Sequence, residues 1–251
     1  MLGAERRQII LERIRGDKKV YVNELSELFN ITEETVRRDL EKLESEGILK
    51  RTYGGAVAFK QISEDLPFIA RFTQNPEAKK LIAQKAAALI KDGDKLVLDA
   101  SSTSYLLLEN IKHKKNITLI TNSIRVPYDF ADSEMQIIST GGELRQNSMA
   151  LVGSNAKKSL QNYHADTSIL SCKALSIEKG IMESNEPESD LKAAMRLQAE
   201  KCILLADSSK FGQIAFLKML DFKDIDYLVT DRDPGKIWQE FCIKTGIELI
   251  F

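Results

Sequence analysis

This 251-residue chain is poor in the residues that build metal and redox sites. It has two histidines, His113 and His164, and three cysteines, Cys172, Cys202 and Cys242. The cysteines are too widely spaced for a zinc motif or a compact disulfide framework. They read as reduced core thiols. Only Lys173 flanks Cys172 to lower its pKa, so that thiol is not expected to be reactive. Neither histidine has a partner histidine at ligand spacing or a paired nucleophile, which leaves no metal or catalytic candidate among them. No uninterrupted apolar run approaches the ~20 residues of a membrane span. Residues Glu5 to Arg7 are charged where a secretory signal would be apolar. These absences predict a cytoplasmic chain with no cofactor, no metal and no membrane partner. A net charge of −1 shows no bias toward an acidic or basic partner, so any nucleic-acid argument must be local.

What is present is 43% hydrophobic residues over a length that suits two domains. The first segment reads as a helix with Ile9, Ile10 and Ile14 on one stripe, stopped by Gly16-Asp17. A β-prone stretch, Val20 to Val22, follows. A second helix carries Leu25, Leu28 and Phe29 and ends near Asn30, a residue that tolerates a left-handed C-cap. Thr32 is a good N-cap for a third helix, with Glu33 and Glu34 where the helix dipole favours anions. Val36, Leu40 and Leu43 share one face of it, and Gly47 supplies its stop. Two striped helices joined by Asn30 to Thr32 match a helix-turn-helix. Residues 48–53 then read as a strand, Gly54-Gly55 as a hairpin turn and residues 56–58 as the return strand, which together make a wing.

Residues 1–60 hold 12 Lys+Arg against 11 Asp+Glu, a net of only +1, so the case rests on placement. With Thr35 at zero and about 100° per residue, Val36, Leu40 and Leu43 cluster near 110°. Arg38 lies at about 300°, Arg37 at about 200° and Lys42 at about 340°. A buried stripe with cations projecting away from it is the geometry of a recognition helix in the major groove. The arginines can take guanine bidentately or grip phosphates. Thr35, Arg37, Arg38 and Lys42 on the helix, with Lys50, Arg51 and Tyr53 on the wing, are the candidate contacts to operator DNA.

The run Val22-Asn23-Glu24-Leu25 through Thr35-Val36-Arg37-Arg38-Asp39-Leu40, closing with Arg51-Thr52-Tyr53-Gly54-Gly55-Ala56, resembles the N-terminal signature of DeoR-type bacterial transcriptional regulators.

Residues 59–76 read as a linker with no sustained period. A helix is expected from about Glu77 to Ile90. Strands then alternate with helices: Lys95–Asp99, Ile117–Thr121, Met135–Ser139, Ile203–Asp207, Tyr227–Thr230 and Ile247–Phe251, with a helix over about 102–111. That pattern predicts a doubly wound, mostly parallel sheet. The expected fold is therefore α/β overall, with an N-terminal winged helix-turn-helix (1–58) and a doubly wound, mostly parallel α/β domain (77–251).

Ligands of such sheets gather at the carboxyl ends of the strands. Asp99, Ser101, Ser102, Thr103 and Ser104 follow the first strand, and hydroxyls at a helix N-terminus suit a phosphate. Thr121, Asn122 and Ser123 follow the second. Gly141, Gly142, Glu143 and Arg145 follow the third, and Lys210 follows the fourth. Each feature also has a plain structural reading, as a cap, a turn or a surface lysine. Their convergence on one edge suggests a phosphorylated, polyhydroxylated effector.

The same segments, with Val152-Gly153, Ala165-Asp166, the run Ala206 to Gly212 and Thr230-Asp231, resemble the DeoR C-terminal domain. That resemblance implies a fold like ribose-5-phosphate and glucosamine-6-phosphate isomerases and the sensing of a phosphorylated sugar by a homo-oligomer, dimer or tetramer. Departures from the pattern fall at four positions: Ser171 and Ala174 stand for glycines and Met182 for a threonine. Ser101 also replaces a common glycine. Added Cβ atoms narrow a pocket. Three functions stay open: a sugar-responsive regulator, usually a repressor; a DNA-binding protein whose second domain only oligomerises; and an isomerase using Asp99, Glu143 and Lys210 for proton transfer.

Overall fold

The computed structural model describes residues 3–17, 19–45, 49–58 and 65–251. The chain divides into two compact units, Met1–Ala70 and Arg71–Phe251.

The first unit runs α1 (Gly3–Asp17), β1 (Lys19–Tyr21), α2 (Val22–Phe29), α3 (Glu33–Ser45), β2 (Leu49–Thr52) and β3 (Gly55–Ala58). Its core is Ile10 and Ile14 of α1, Val22, Leu25 and Phe29 of α2, and Val36, Leu40 and Leu43 of α3. The expected stripe on α2 needs one correction. Leu28 is 47% exposed, and Val22 is buried in its stead. Positions 22, 25 and 29 lie within one turn-to-turn face, whereas 28 falls about 60° beyond its edge.

The turn between α2 and α3 is fixed locally. Asn30 takes the left-handed conformation at φ 52° and its N–H donates to Glu27 O. Ile31 N–H donates back to Ser26 O, and the Ser26 hydroxyl donates to Ile31 O at 2.6 Å. Thr32 Oγ1 accepts from Thr35 N–H at 3.4 Å, the expected N-cap. The wing strands form a sheet in the order β1-β3-β2, antiparallel throughout. Gly54 has φ 87°, and a Cβ on Gly55 would stand 2.1 Å from Val20 O. The two glycines therefore do different things: one turns the hairpin, the other lets β3 lie against β1. Gly47 and Ile48, expected to end α3 and begin the wing, lie outside the described residues, as do residues 59–64 of the connector.

The division between units falls inside α4 (Phe68–Thr73), within the stretch read as an irregular linker. Six residues complete fewer than two turns, too few to print a helical period.

The second unit contains α5 (Pro76–Ala87), β4 (Lys95–Leu98), α6 (Ser102–Ile111), β5 (Thr118–Thr121), α7 (Arg125–Asp129) and β6 (Gln136–Ser139). The hairpin β7 (Glu143–Arg145) and β8 (Ala150–Val152) follows, then α8 (Ser154–Leu160) and β9 (Ala165–Ser171). Next come β10 (Ala174–Ser176), β11 (Gly180–Glu183), α9 (Glu186–Leu197), β12 (Ala199–Leu205) and β13 (Leu217–Leu220). The chain closes with β14 (Tyr227–Val229), α10 (Lys236–Thr245) and β15 (Glu248–Ile250).

Seven of these strands form one wholly parallel sheet, β15-β14-β12-β9-β4-β5-β6. Alternate strand residues feed two apolar layers. Leu96, Leu98, Leu119 and Ile169 pack with α5, α6 and α7, while Val97, Ile120, Leu170 and Leu204 pack with α8, α9 and α10. Strand β9 was not expected, although it is central. Its hydroxyls explain how: Ser168 and Ser171 donate to the carbonyls of Lys201 and Leu205 on β12, so polar side chains sit inside the sheet without cost. The antiparallel sheet β10-β11-β13 and the β7–β8 hairpin were not expected either. The chain extends from β4 outward to β6, then returns to β9 on the other side of β4. The switch point of the sheet is thus the crevice between β4 and β9.

All three cysteines are free and buried. Burial pushes the thiols of Cys172 and Cys202 up to about 12 and that of Cys242 to about 11, which leaves them unreactive as expected. Among the described residues no helix is long and apolar enough to cross a membrane.

Candidate functional site

In the first unit, Val36, Leu40 and Leu43 are buried while Arg37, Arg38 and Lys42 are exposed. Lys50 and Arg51 are exposed on β2, and Tyr53 is wholly exposed in the wing turn. Arg37 and Leu40 of α3 and Arg51 and Tyr53 of the wing line one shallow groove. Thr35 is the exception in the expected set. It is half-buried, and its hydroxyl is engaged with Thr32 Oγ1 at 2.9 Å.

Arg37 pairs with Glu33 at 2.7 Å, Arg38 with Glu34 at 3.7 Å and Arg51 with Glu44 at 2.8 Å. The Arg51 backbone N–H, then its guanidinium, holds the Glu44 carboxyl below its usual value. Asp39, which sequence reasoning passed over, is buried and takes Arg6 at 2.7 Å and Arg7 at 3.1 Å. It clamps α1 to α3. The helical stripe was the available signal: Asp39, at about 40° with Thr35 at zero, lies at the edge of the Val36/Leu40/Leu43 stripe.

In the second unit, Asp99 ends β4 at the switch point and is buried. Its Oδ1 accepts from Ser101 N–H at 3.2 Å and from the Ser104 hydroxyl at 2.6 Å. Its Oδ2 accepts from Ser171 N–H, across the crevice on β9, at 3.0 Å. Ser101 also caps α6, accepting from Ser104 N–H. Two of the four hydroxyls of this loop are thereby committed internally, and Ser102 and Thr103 are buried in the first turn.

Lys192 of α9 was missed by sequence reasoning. Its buried ammonium lies 3.2 Å from Asp99, 2.6 Å from Glu183 and 2.9 Å from Ser171 O. Burial works against all three charges, yet their mutual attraction overcomes it. The Asp99 and Glu183 carboxyls are held below their usual values and the Lys192 ammonium above its own. No local spacing pointed to it: Glu188, four positions earlier on α9, pairs with Arg145 instead.

Lys210 is half-buried, donating to Ser171 Oγ at 3.0 Å and lying 4.0 Å from Asp207. Lys79 of α5 is buried, with its ammonium on Arg71 O. Burial, then the positive charge of Lys210, pushes Lys79 down to about 7. Arg145 pairs with Glu188 at 2.9 Å.

On β5, Thr121 accepts from Ser123 N–H, and Ser123 caps α7. Asn122 is buried and donates to Leu151 O at 3.0 Å, while its Oδ1 has no partner among the described residues. Gly141 and Gly142 have φ 64° and 117°, and a Cβ on Gly142 would stand 2.5 Å from Val152 O. That pair is needed by the backbone. Glu143 is exposed on β7 and makes no hydrogen bond or ion pair with the Asp99 cluster among the described residues. The structure thus joins Asp99, Ser101, Ser104 and Lys210 through Ser171, and leaves Glu143 outside.

The two units are thus a winged helix-turn-helix and a parallel α/β sheet unit, folds that by themselves do not assign a function. The chain belongs to the DeoR family of transcriptional regulators. The DeoR-like helix-turn-helix domain matches residues 6–62, and the DeoR C-terminal sensor domain matches residues 74–232. The chain is 40% identical to the uncharacterized HTH-type transcriptional regulator YulB of Bacillus subtilis, over 94% of this chain and 93% of the relative. It is 33% identical to the putative aga operon transcriptional repressor of Escherichia coli O157:H7, over 98% and 93%. It is 32% identical to the transcriptional repressor GlcR of Bacillus subtilis, over 100% and 96%. Ribose 5-phosphate isomerase A of Methanocaldococcus jannaschii superposes on 55% of each chain with a TM-score of 0.42 and 16% identity, too remote a likeness to carry chemistry. The relatives are transcriptional regulators, so the isomerase reading falls. The site agrees: Asp99 is locked in an ion pair and Glu143 stands apart from it.

Proposed function

We propose that this protein is a cytoplasmic, homo-oligomeric repressor of a carbohydrate-metabolism operon, released or engaged by a phosphorylated sugar. The observation that carries the DNA part is the exposed basic side of α3 beside the wing, opposite a fully buried Val36/Leu40/Leu43 stripe. Arg37, Arg38 and Lys42 enter the major groove, and Lys50, Arg51 and Tyr53 contact the flanking backbone. Thr35 supports the helix start and contributes to the same surface. Two copies of the unit read paired half-sites, so the assembly is a dimer or tetramer.

The effector part is supported by the switch-point crevice. Lys210, half-buried beside Ser171 and near Lys79, offers positive charge for a phosphate, together with the first turn of α6 at Ser101 to Ser104. The unpartnered Asn122 oxygen offers an acceptor for a sugar hydroxyl, with Thr121 and Ser123 shaping its loop. Gly141 and Gly142 hold the rim, while Glu143 and Arg145 are the weakest members of the set. One observation favours the reading in which the second unit only oligomerises: Lys192 and Arg145 are already neutralised by buried carboxylates.

A panel of sugar phosphates separates the two. The sensing reading expects one member to raise the thermal midpoint and to change operator affinity, because a ligand shifts an equilibrium only through its differential affinity. A panel that moves neither quantity leaves the oligomerisation reading.

A further inference from the structure

Each arginine assigned to DNA contact is already held by a carboxylate of its own unit. Arg37 Nη2 lies 2.7 Å from Glu33, Arg38 Nε 3.7 Å from Glu34, and Arg51 Nε 2.8 Å from Glu44. Glu44 also accepts the Arg51 backbone N–H at 2.8 Å. All three pairs are open to solvent. The near-neutrality of the first sixty residues is thus not a scatter of acids among bases. Three of the acids sit on the arginines that face outward.

We propose that Glu33, Glu34 and Glu44 determine specificity by competing with DNA phosphates for these arginines. The inference rests on the recognition-helix reading above. Binding to random duplex is driven by phosphates alone. Exchanging a carboxylate for a phosphate trades one anion for another and gains little, and the freed carboxylate then faces the DNA backbone. A guanine edge is different, because it is neutral and can take the guanidinium donors that the carboxylate leaves free without setting a second anion beside it. The carboxylates therefore tax phosphate-only encounters most and matched base contacts least. Glu41 supplies an internal control. It is exposed on α3, at about 240° between Arg37 and Arg38, and makes no ion pair among the described residues.

The test uses the full chain against a random-sequence duplex and a duplex selected from a random pool by the wild type. In about 0.1 M salt, where surface pairs still act, the variants are E33Q/E34Q/E44Q, E44Q, E41Q and R37A/R38A. The triple variant is expected to bind random duplex about three- to tenfold tighter, the sum of three exposed pairs. The selected duplex should gain less, so the ratio of the two affinities falls. E44Q should show a share of the same change, and it leaves the dipole-stabilised first turn of α3 untouched if the triple variant proves unstable. E41Q should leave the ratio unchanged. Unchanged or weaker random-duplex binding by both E33Q/E34Q/E44Q and E44Q overturns the proposal. So does an E41Q effect equal, per charge, to that of the triple variant, since bulk charge would then suffice. A loss confined to the selected duplex also overturns it and assigns the glutamates to cytosine amino groups. Wild-type binding by R37A/R38A sinks the recognition-helix reading itself, whatever the glutamates do.

Discussion

Cations meet carboxylates in both units, in opposite surroundings. In the reading unit, Arg37 and Glu33 are 52% and 50% exposed. In the sensing unit, Lys192, Glu183 and Asp99 are 6%, 7% and 0% exposed. A pair left in water adds little to the fold and stays available to a partner. A pair sealed from water is committed, since removing one member strands the others. Lys192 therefore belongs to the framework of the crevice, and Lys210, half-buried, is the better candidate for a ligand.

The sharpest way to break this comparison is Lys192→Met. It strands two buried carboxylates and should destabilise the second unit by about 3–5 kcal/mol in urea unfolding of the full chain. A cost below about 1 kcal/mol would place that triad with the surface pairs.

Lys79 gives the next largest effect. Its folded pKa, about 7, is lowered from 10.5, so between those values the unfolded chain binds a proton that the folded chain does not. Stability of the second unit should rise from about pH 7 to about pH 10, by at most about 1.4 kcal/mol per pH unit. Lys79→Met should flatten that rise in the same unfolding series. Asp99 and Glu183 act at the other end. Their folded values are depressed, so the stability they contribute is present above their ordinary carboxylate range and lost as pH falls through the folded values. An acid titration of stability that is identical in wild type and Glu183→Gln would break this assignment.

The smallest stability effect should fall on the reader. Arg37→Ala should cost the fold no more than about 0.5 kcal/mol, while weakening operator binding by about 1–3 kcal/mol. A thermal melt and a binding titration on the same preparation check both.

Local chemistry made much of this legible. Asn30, Thr32 and the Gly54-Gly55 pair announce their turns because each carries its own backbone preference, and the apolar strands of the large sheet read directly. Strand β9 did not, because Thr167, Ser168 and Ser171 interrupt its apolar run, and the hydroxyls of Ser168 and Ser171 find their acceptors on the neighbouring strand. Asp99 was legible as a strand-end carboxylate, but its partner Lys192 lies 93 positions away on α9. Such a pairing is set by tertiary packing, which no local spacing encodes. Leu28 failed for the reverse reason: its spacing fitted the stripe, and only the edge of the stripe decided its exposure.

The three-residue turn between α2 and α3 has one more consequence. Asn30, Ser26 and Thr32 lock it by backbone and side-chain bonds, and Asp39 ties α3 to α1. With its leading turn locked and Asp39 tied to α1, the recognition helix is held in place within its unit. Under the proposed regulation, a metabolite cannot rewrite which bases are read. It can alter only the spacing at which two unchanged readers reach the duplex, so effector-bound and effector-free protein should favour the same half-site sequence and differ in how far apart the half-sites must lie.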